Sequence, residues 1–364
     1  MGHGSEEAVT PVVGTVMILG ITVLGIGAIL FWGAPTLQAI QDQNSATAME
    51  GEFQELRRDT LDLTIDKASR LPNVVVEDGT LSIESGTRFL VSSDMWGTVA
   101  PYAGCSLQID DWDTGDADSF DIRKVPSCSP HSASPQACPP GANTWCLEVF
   151  SVAGGTTQEK DWSSSGSGPY TISVSDGGVP EDLQSGDWLI RIKDDAADTV
   201  AQAWIISSDR ISWELQTSVT DAAIHLEGGA ILEKDGVRTF LVKAPAIQED
   251  AFGSGDYVFR LPTYIPDTGG SITARATPSV FLGQVGNNHL RTSTASAEDV
   301  RFSFSGDLAE GWCNALLFRN AALTGDPYSV DGACTDTTPT VVYEPAASFA
   351  FELIHARVTA RLQI

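Results

Sequence analysis

Residues Val12–Trp32 read VVGTVMILGITVLGIGAILFW, 21 positions without a charged side chain. The uncharged run is longer still, because no Asp, Glu, Lys or Arg occurs from Ala8 to Gln41. A helix needs about 20 apolar residues to cross the hydrocarbon core of a bilayer. A helix on the core of a soluble domain ordinarily keeps a polar stripe, and this stretch has none. A cleaved secretory signal has a shorter apolar run, roughly 7–15 residues, behind a basic leader. Met1–Glu7 contains neither Lys nor Arg. The stretch is therefore predicted to be a retained membrane helix. Small residues punctuate it at Gly14, Gly20, Gly25, Gly27, Ala28 and Gly33. Such positions let helix backbones approach closely in lipid, where no hydrophobic drive acts between helices.

Downstream, the helical pattern resumes with a different character. Met49, Phe53, Leu56, Thr60, Leu63 and Lys67 recur at spacings of 4, 3, 4, 3 and 4, while Glu50, Glu52, Glu55, Arg57 and Arg58 fill other faces. That is the period of an amphipathic helix. Leu71-Pro72 marks its expected stop, since the residue before a proline avoids the helical region. A helix from Ala8 to Leu71 would run roughly 95 Å, with a bend expected near Gly33-Ala34-Pro35.

From Asn73 onward the helix period vanishes. Short β-rich runs follow, among them Arg88–Val91, Trp188–Ile192, Tyr257–Leu261 and Val300–Phe304, separated by Gly, Asp and Pro. Asp78-Gly79 and Asp235-Gly236 are hairpin signals. The fold class expected is a long N-terminal α-helix, transmembrane and then amphipathic, carrying a large all-β antiparallel sandwich-like head. In the last strand, Ile354, Ala356, Val358, Ala360, Leu362 and Ile364 alternate with His355, Arg357, Thr359, Arg361 and Gln363. One face should be buried and the other, with His355, exposed. Glu77–Leu81 and Glu227–Ile231 look alike at a spacing of 150 residues. Two related β units or chance hairpin chemistry would both explain this, and chance is favoured.

Forty-eight acids against 21 bases give a net charge of −27. A surface that negative repels a phosphate backbone, so no nucleic-acid partner is expected. Cys105, Cys128, Cys138, Cys146, Cys313 and Cys334 all follow the apolar segment. An even count in an exported chain points to three disulfides, with Cys313–Cys334 the nearest isolated pair. Zinc would want close Cys-x-x-Cys pairs, and none occurs. The stretch 105–146 reads as a Cys-containing loop region, and Val125–Thr144 within it is rich in Ser, Pro and Ala.

Asp110, Asp111, Asp113, Asp116, Asp118 and Asp121 crowd together. Asp113, Asp116, Asp118 and Asp121 are a weak Ca²⁺ candidate, because the spacing fits no known loop. A solvated acidic loop is the expectation, and no cofactor is called for. No zincin motif, nucleophile elbow, phosphate loop or dinucleotide fingerprint is present, so no enzyme is expected.

The opening Ala8-Val9-Thr10-Pro11-Val12-Val13-Gly14-Thr15-Val16 resembles the start of mature archaeal type IV pilins. The resemblance is close over residues 8–40 and extends to 72. It implies that residues 1–7 are a short leader, removed between Glu7 and Ala8 by a prepilin peptidase on the cytoplasmic side. It implies that helix 8–41 leaves the membrane to form a filament core, with 42–72 continuing it and 73–364 forming the filament surface. The partners implied are copies of the chain or related pilins, the assembly machinery and the membrane. The function implied is that of a major or minor subunit of a filament for adhesion. A monomeric, membrane-anchored surface binding protein is the alternative reading.

Overall fold

The computed structural model describes residues 9–66, 68–76, 78–93, 107–110, 121–124, 146–151, 158–160, 170–172, 187–193, 199–217, 220–236, 238–248, 257–266, 272–273, 277–323 and 325–363. It begins with one α-helix, α1, Val9–Asp66, 58 residues long and continuous through Pro35. Proline has no N–H to give the Phe31 carbonyl, yet the turns on either side carry the helix across the gap. The Thr36 hydroxyl donates to the Trp32 carbonyl at 3.0 Å in that stretch.

α1 ends at Asp66, short of Leu71. The Asp66 carboxylate accepts the Ala68 N–H at 3.0 Å and pairs with Arg70. The chain then runs extended beside the Ser279–Ala297 strand. Arg70 N–H donates to the Leu282 carbonyl at 2.8 Å, Leu282 N–H to the Arg70 carbonyl at 2.9 Å, and Val280 N–H to the Pro72 carbonyl at 2.9 Å. Pro72 cannot donate, but its carbonyl can accept, so a sheet edge suits this segment better than another helical turn.

Most strands belong to one 15-stranded, largely antiparallel sheet that curls into a half-barrel. Its spine is the Thr199–Gln216 strand paired with Thr80–Ser93, from Thr80↔Glu214 to Ser93↔Gln202, with a bulge between Ser85 and Arg88. Tyr257–Pro266 and Phe349–Gln363 run parallel, Tyr257 facing Phe351. The Gly228-Gly229 turn joins Asp221–Glu227 to Ala230–Asp235, with φ of 54° and 75°. Glycine takes this left-handed conformation without steric cost. The Asp235-Gly236 hairpin is present, whereas Asp78-Gly79 leads into the first strand. The two look-alike stretches thus have different roles within one sheet.

The sheet separates two cores. On one face Phe89, Trp204, Phe259, Phe302 and Phe351 pack with Trp312 and Leu316. On the other, Met49, Phe53, Leu56 and Leu63 of α1 meet Ile211, Trp213, Leu226, Val280 and Val358. Full burial of side chains of this size is worth about 1.5–3 kcal/mol each, which holds this half of α1 to the sheet.

Two further features depart from the sequence expectation. First, a second helix, α2, Ala309–Leu317, interrupts the strands. Its Ala309, Trp312, Cys313 and Leu316 are buried at helical spacing. Trp312 meets Phe89 edge-on at 5.0 Å and stacks on Phe304 at 5.8 Å. Second, His355 is buried, and so is Arg357. The last strand lies between two others, with Phe351 and Leu353 in one core and Val358 and Ala360 in the other. Its polar face is therefore interior. His355 Nε2 lies 2.7 Å from the Thr263 hydroxyl, and Arg357 pairs with Asp187.

Candidate functional site

The most distinctive feature is the first half of α1, which no part of the described chain covers. From Val13 to Ile40 its large apolar residues stand in the open, reaching 77% exposure at Phe31 and Trp32. Among the described residues, a Cβ placed on Gly14, Gly20, Gly25 or Gly27 would meet no atom within 4 Å beyond its chain neighbours and the helix's own backbone. Ala28 is likewise exposed. At 100° per residue, Gly14, Gly25 and Ala28 share one side of the helix while Gly20 and Gly27 share another. The arm therefore offers close backbone approach on two sides. Among the described residues α1 is the one helix long and apolar enough to cross a membrane.

The arm gives way to a buried shaft at Asp42. There the Thr217 hydroxyl donates to the Asp42 carboxylate at 2.8 Å. A notch of about 780 Å³ opens just above, between Ala34–Asp42 of α1 and the sheet rim at Asp78–Thr80 and Glu214–Thr217. Deeper in, the Arg57 guanidinium donates to the Gly229 carbonyl at 2.6 Å and the Ala244 carbonyl at 3.0 Å. Burial pushes its pKa down, with the opposing pull of Tyr264 smaller. The Thr60 and Tyr264 hydroxyls lie 3.1 Å apart, and burial drives the Tyr264 phenol well above its usual value.

Polar groups also line the inner face of the sheet. Glu227 is fully buried and accepts from the Thr87 N–H, from the Thr87 hydroxyl at 2.7 Å and from the Trp312 indole at 2.8 Å. Burial raises its pKa against the pull of these donors. This carboxylate ties the bulge, the glycine turn and α2 together. Nearby, Arg210 bridges Glu84 at 2.8 Å and Asp307 at 2.6 Å. Burial works to raise the Asp307 carboxyl, but Arg210 and Lys234 outweigh it and hold it at about 2.

Ser212 donates to Glu84 at 2.6 Å and lies 2.8 Å from His225 Nδ1. The order is carboxylate, hydroxyl, imidazole. The serine proton points at Glu84 and both Ser212 and His225 are buried, so this is an interior brace rather than a nucleophile facing a substrate. None of these groups carries a sequence motif. Glu227 was legible only as the residue before a Gly-Gly turn.

Of the residues singled out from the sequence, the structure brings together Cys313 and Cys334, bonded with Cα atoms 5.5 Å apart. Cys105, Cys128 and Cys138 lie outside the described residues, as do Glu7, Ala8, Asp113, Asp116 and Asp118. Cys146 starts the Cys146–Ser151 strand, and Asp121 pairs with Asp110 across a short hairpin; their side chains are outside what is described. Among the described residues no group of three or more His, Cys, Asp or Glu side chains is placed to hold a metal ion.

A family model described as a family of unknown function, DUF7289, matches residues 8–103. That segment takes in α1, the extended linker and the Thr80–Ser93 strand. No curated protein and no solved structure matches the chain.

Proposed function

We propose that this chain is a subunit, major or minor, of an archaeal extracellular type IV pilus-like filament that serves surface attachment. One observation carries the reading: α1 is a single helix whose first half is apolar and bare while its second half is sunk in a folded head. Such a helix can reside in a bilayer and then exchange lipid for copies of itself without unfolding, because both surroundings are dry and apolar. Close-approach positions on two sides suit a multi-helix core better than a pair. The family match begins at Ala8, the residue that a prepilin peptidase would leave first. The Cys313–Cys334 disulfide supports a head on the oxidising side of the membrane.

The test is to shear cells, image the released filaments and sequence the N-terminus of their subunits. The expected result is filaments whose subunits begin at Ala8. Recovery solely as detergent-soluble monomers that retain Met1 would overturn it and make the chain an anchored surface binding protein.

A further inference from the structure

Four acids are buried among the described residues: Asp42, Asp187, Glu227 and Asp299. A carboxylate withdrawn from water ordinarily has a cation or several donors. Three of the four do. Asp187 pairs with Arg357, Asp299 with Arg301, and Glu227 accepts from the Thr87 N–H, the Thr87 hydroxyl and the Trp312 indole. Asp42 is the exception. It is 7% exposed, its Oδ2 receives the Thr217 hydroxyl, and its Oδ1 has no hydrogen-bond partner among the described residues. No Lys or Arg among them pairs with it. Asp42 lines the notch between α1 and the sheet rim, and so do the exposed acids Asp78 and Glu214. No Lys, Arg or His lines that space. Its helix wall is apolar at Ala34 and at Leu37, which is 64% exposed.

We propose that the notch is a binding site for an organic cation, an alkyl stem that ends in an ammonium or guanidinium group. The head donates to the open Asp42 oxygen and sits in the field of Asp78 and Glu214. The stem lies along Ala34 and Leu37, as the stems of Lys and Arg cover apolar surface. Size agrees, since about 780 Å³ is the volume of a small-molecule site and far more than a bare ion fills. Among the described residues no three acidic, Cys or His side chains are placed to hold a metal ion, which favours a cation that carries its own N–H donors on a stem. The same head occurs on free amines and on the side chains of another protein. The site lies within one chain, at the junction of arm and head, and is independent of the filament reading.

Calorimetric titration of the full-length chain in detergent, at fixed ionic strength, tests the site. Butylammonium and butylguanidinium should bind saturably. Tetramethylammonium has the charge but no N–H, and should bind at least ~tenfold more weakly. Asp42→Asn keeps an acceptor for Thr217 and should melt as wild type, yet bind both probes at least ~tenfold more weakly. Glu214→Gln, an exposed change, should weaken binding several-fold, and Asp235→Asn, outside the notch, should leave it unchanged. Tighter binding of N-acetyl-lysine amide than of butylammonium would assign the site to a protein side chain, and equal binding to a free amine. No saturable binding by the wild type, equal binding of tetramethylammonium, or wild-type affinity in Asp42→Asn would overturn the proposal and leave the filament reading intact. Should Asp42→Asn fail to fold, unchanged binding in Glu214→Gln would overturn it as well.

Discussion

The two halves of α1 use the same residue types to opposite ends. Met17 is 66% exposed and Met49 2%; Leu30 is 64% exposed and Leu56 0%; Phe31 is 77% exposed and Phe53 0%. What differs is the company each residue keeps. Around Met49, Phe53 and Leu56 the other faces carry Glu50, Glu52, Glu55 and Arg58, so one stripe can be buried while water takes the rest. Around Phe31 every face is apolar. A curled sheet that covers one face leaves the others in water, so such a helix needs a surround, either lipid or other helices. An amphipathic stripe selects a partner on one side, and a uniform apolar helix selects an environment.

The largest expected effect lies in the arm. Gly25→Arg should abolish membrane insertion or assembly, because a charge there is costly in lipid and in a dry helical core alike. Gly25→Leu sharpens the point, since it keeps the span apolar but fills the close-contact position. It should fractionate with membranes as wild type and yield few sheared filaments. Normal filament yield from Gly25→Leu would break the contrast between arm and shaft.

Next in size is a deletion in the shaft. Phe53→Ala removes a fully buried ring between α1 and the sheet and should cost about 3–5 kcal/mol. Leu24→Ala in the arm should leave head stability within about 0.5 kcal/mol, because Leu24 is 74% exposed among the described residues. Thermal unfolding in detergent followed by the near-ultraviolet signal of Trp204, Trp213 and Trp312 compares the two.

A third effect belongs to the head alone. Burial first, and Arg210 second, lowers His225 to about 4, while burial and Arg357 lower His355 to about 3. Both imidazoles are neutral in the fold, whereas an unfolded histidine titrates near 6.5. The unfolded chain therefore takes up protons that the fold refuses. Stability is full above pH ~6.5 and is lost as pH falls toward 4 and 3, by up to roughly 3 kcal/mol for His225. Melting curves between pH 7.5 and 4.5 should show the loss, and His225→Gln should reduce its slope, leaving the share that belongs to His355. A slope unchanged in His225→Gln would assign the acid sensitivity elsewhere.

The smallest effect is at the clasp. Arg57→Ala removes two hydrogen bonds from α1 to the Gly229 and Ala244 carbonyls and should cost about 1–2 kcal/mol. Faster amide exchange in α1 near Arg57, with that around Trp204 unchanged, would place the loss at the interface between helix and sheet.

The correspondence between sequence and fold is uneven for physical reasons. The shaft was legible because Met49, Phe53, Leu56, Thr60 and Leu63 repeat at helical spacing, and all five are buried. The last strand was legible as a strand, yet its polar face was misread. Alternation reports that Ile354 and His355 point to opposite sides, but not whether the second side is covered. The Tyr257–Pro266 strand, which carries Thr263, comes from some 90 residues upstream, and Asp187, the partner of Arg357, from 170. α2 was hidden because nine residues between strands make too short a window for a helical period to stand out.

Sequence by itself determined the features set by local composition: the bare arm, the amphipathic shaft, the β-rich head and the proximity of Cys313 to Cys334. Each depends on residues within a turn or two of helix, a few residues of strand or a short loop. Tertiary structure alone decided where α1 ends, since the segment after Asp66 was claimed by the edge of the Ser279–Ala297 strand. It alone decided that His355, Arg357, Glu227 and Arg210 lie inside. Burial of a charged or polar group is settled by whether distant chain segments supply its donors and acceptors. No local pattern encodes a partner that arrives from 140 residues away, as Thr87 does for Glu227.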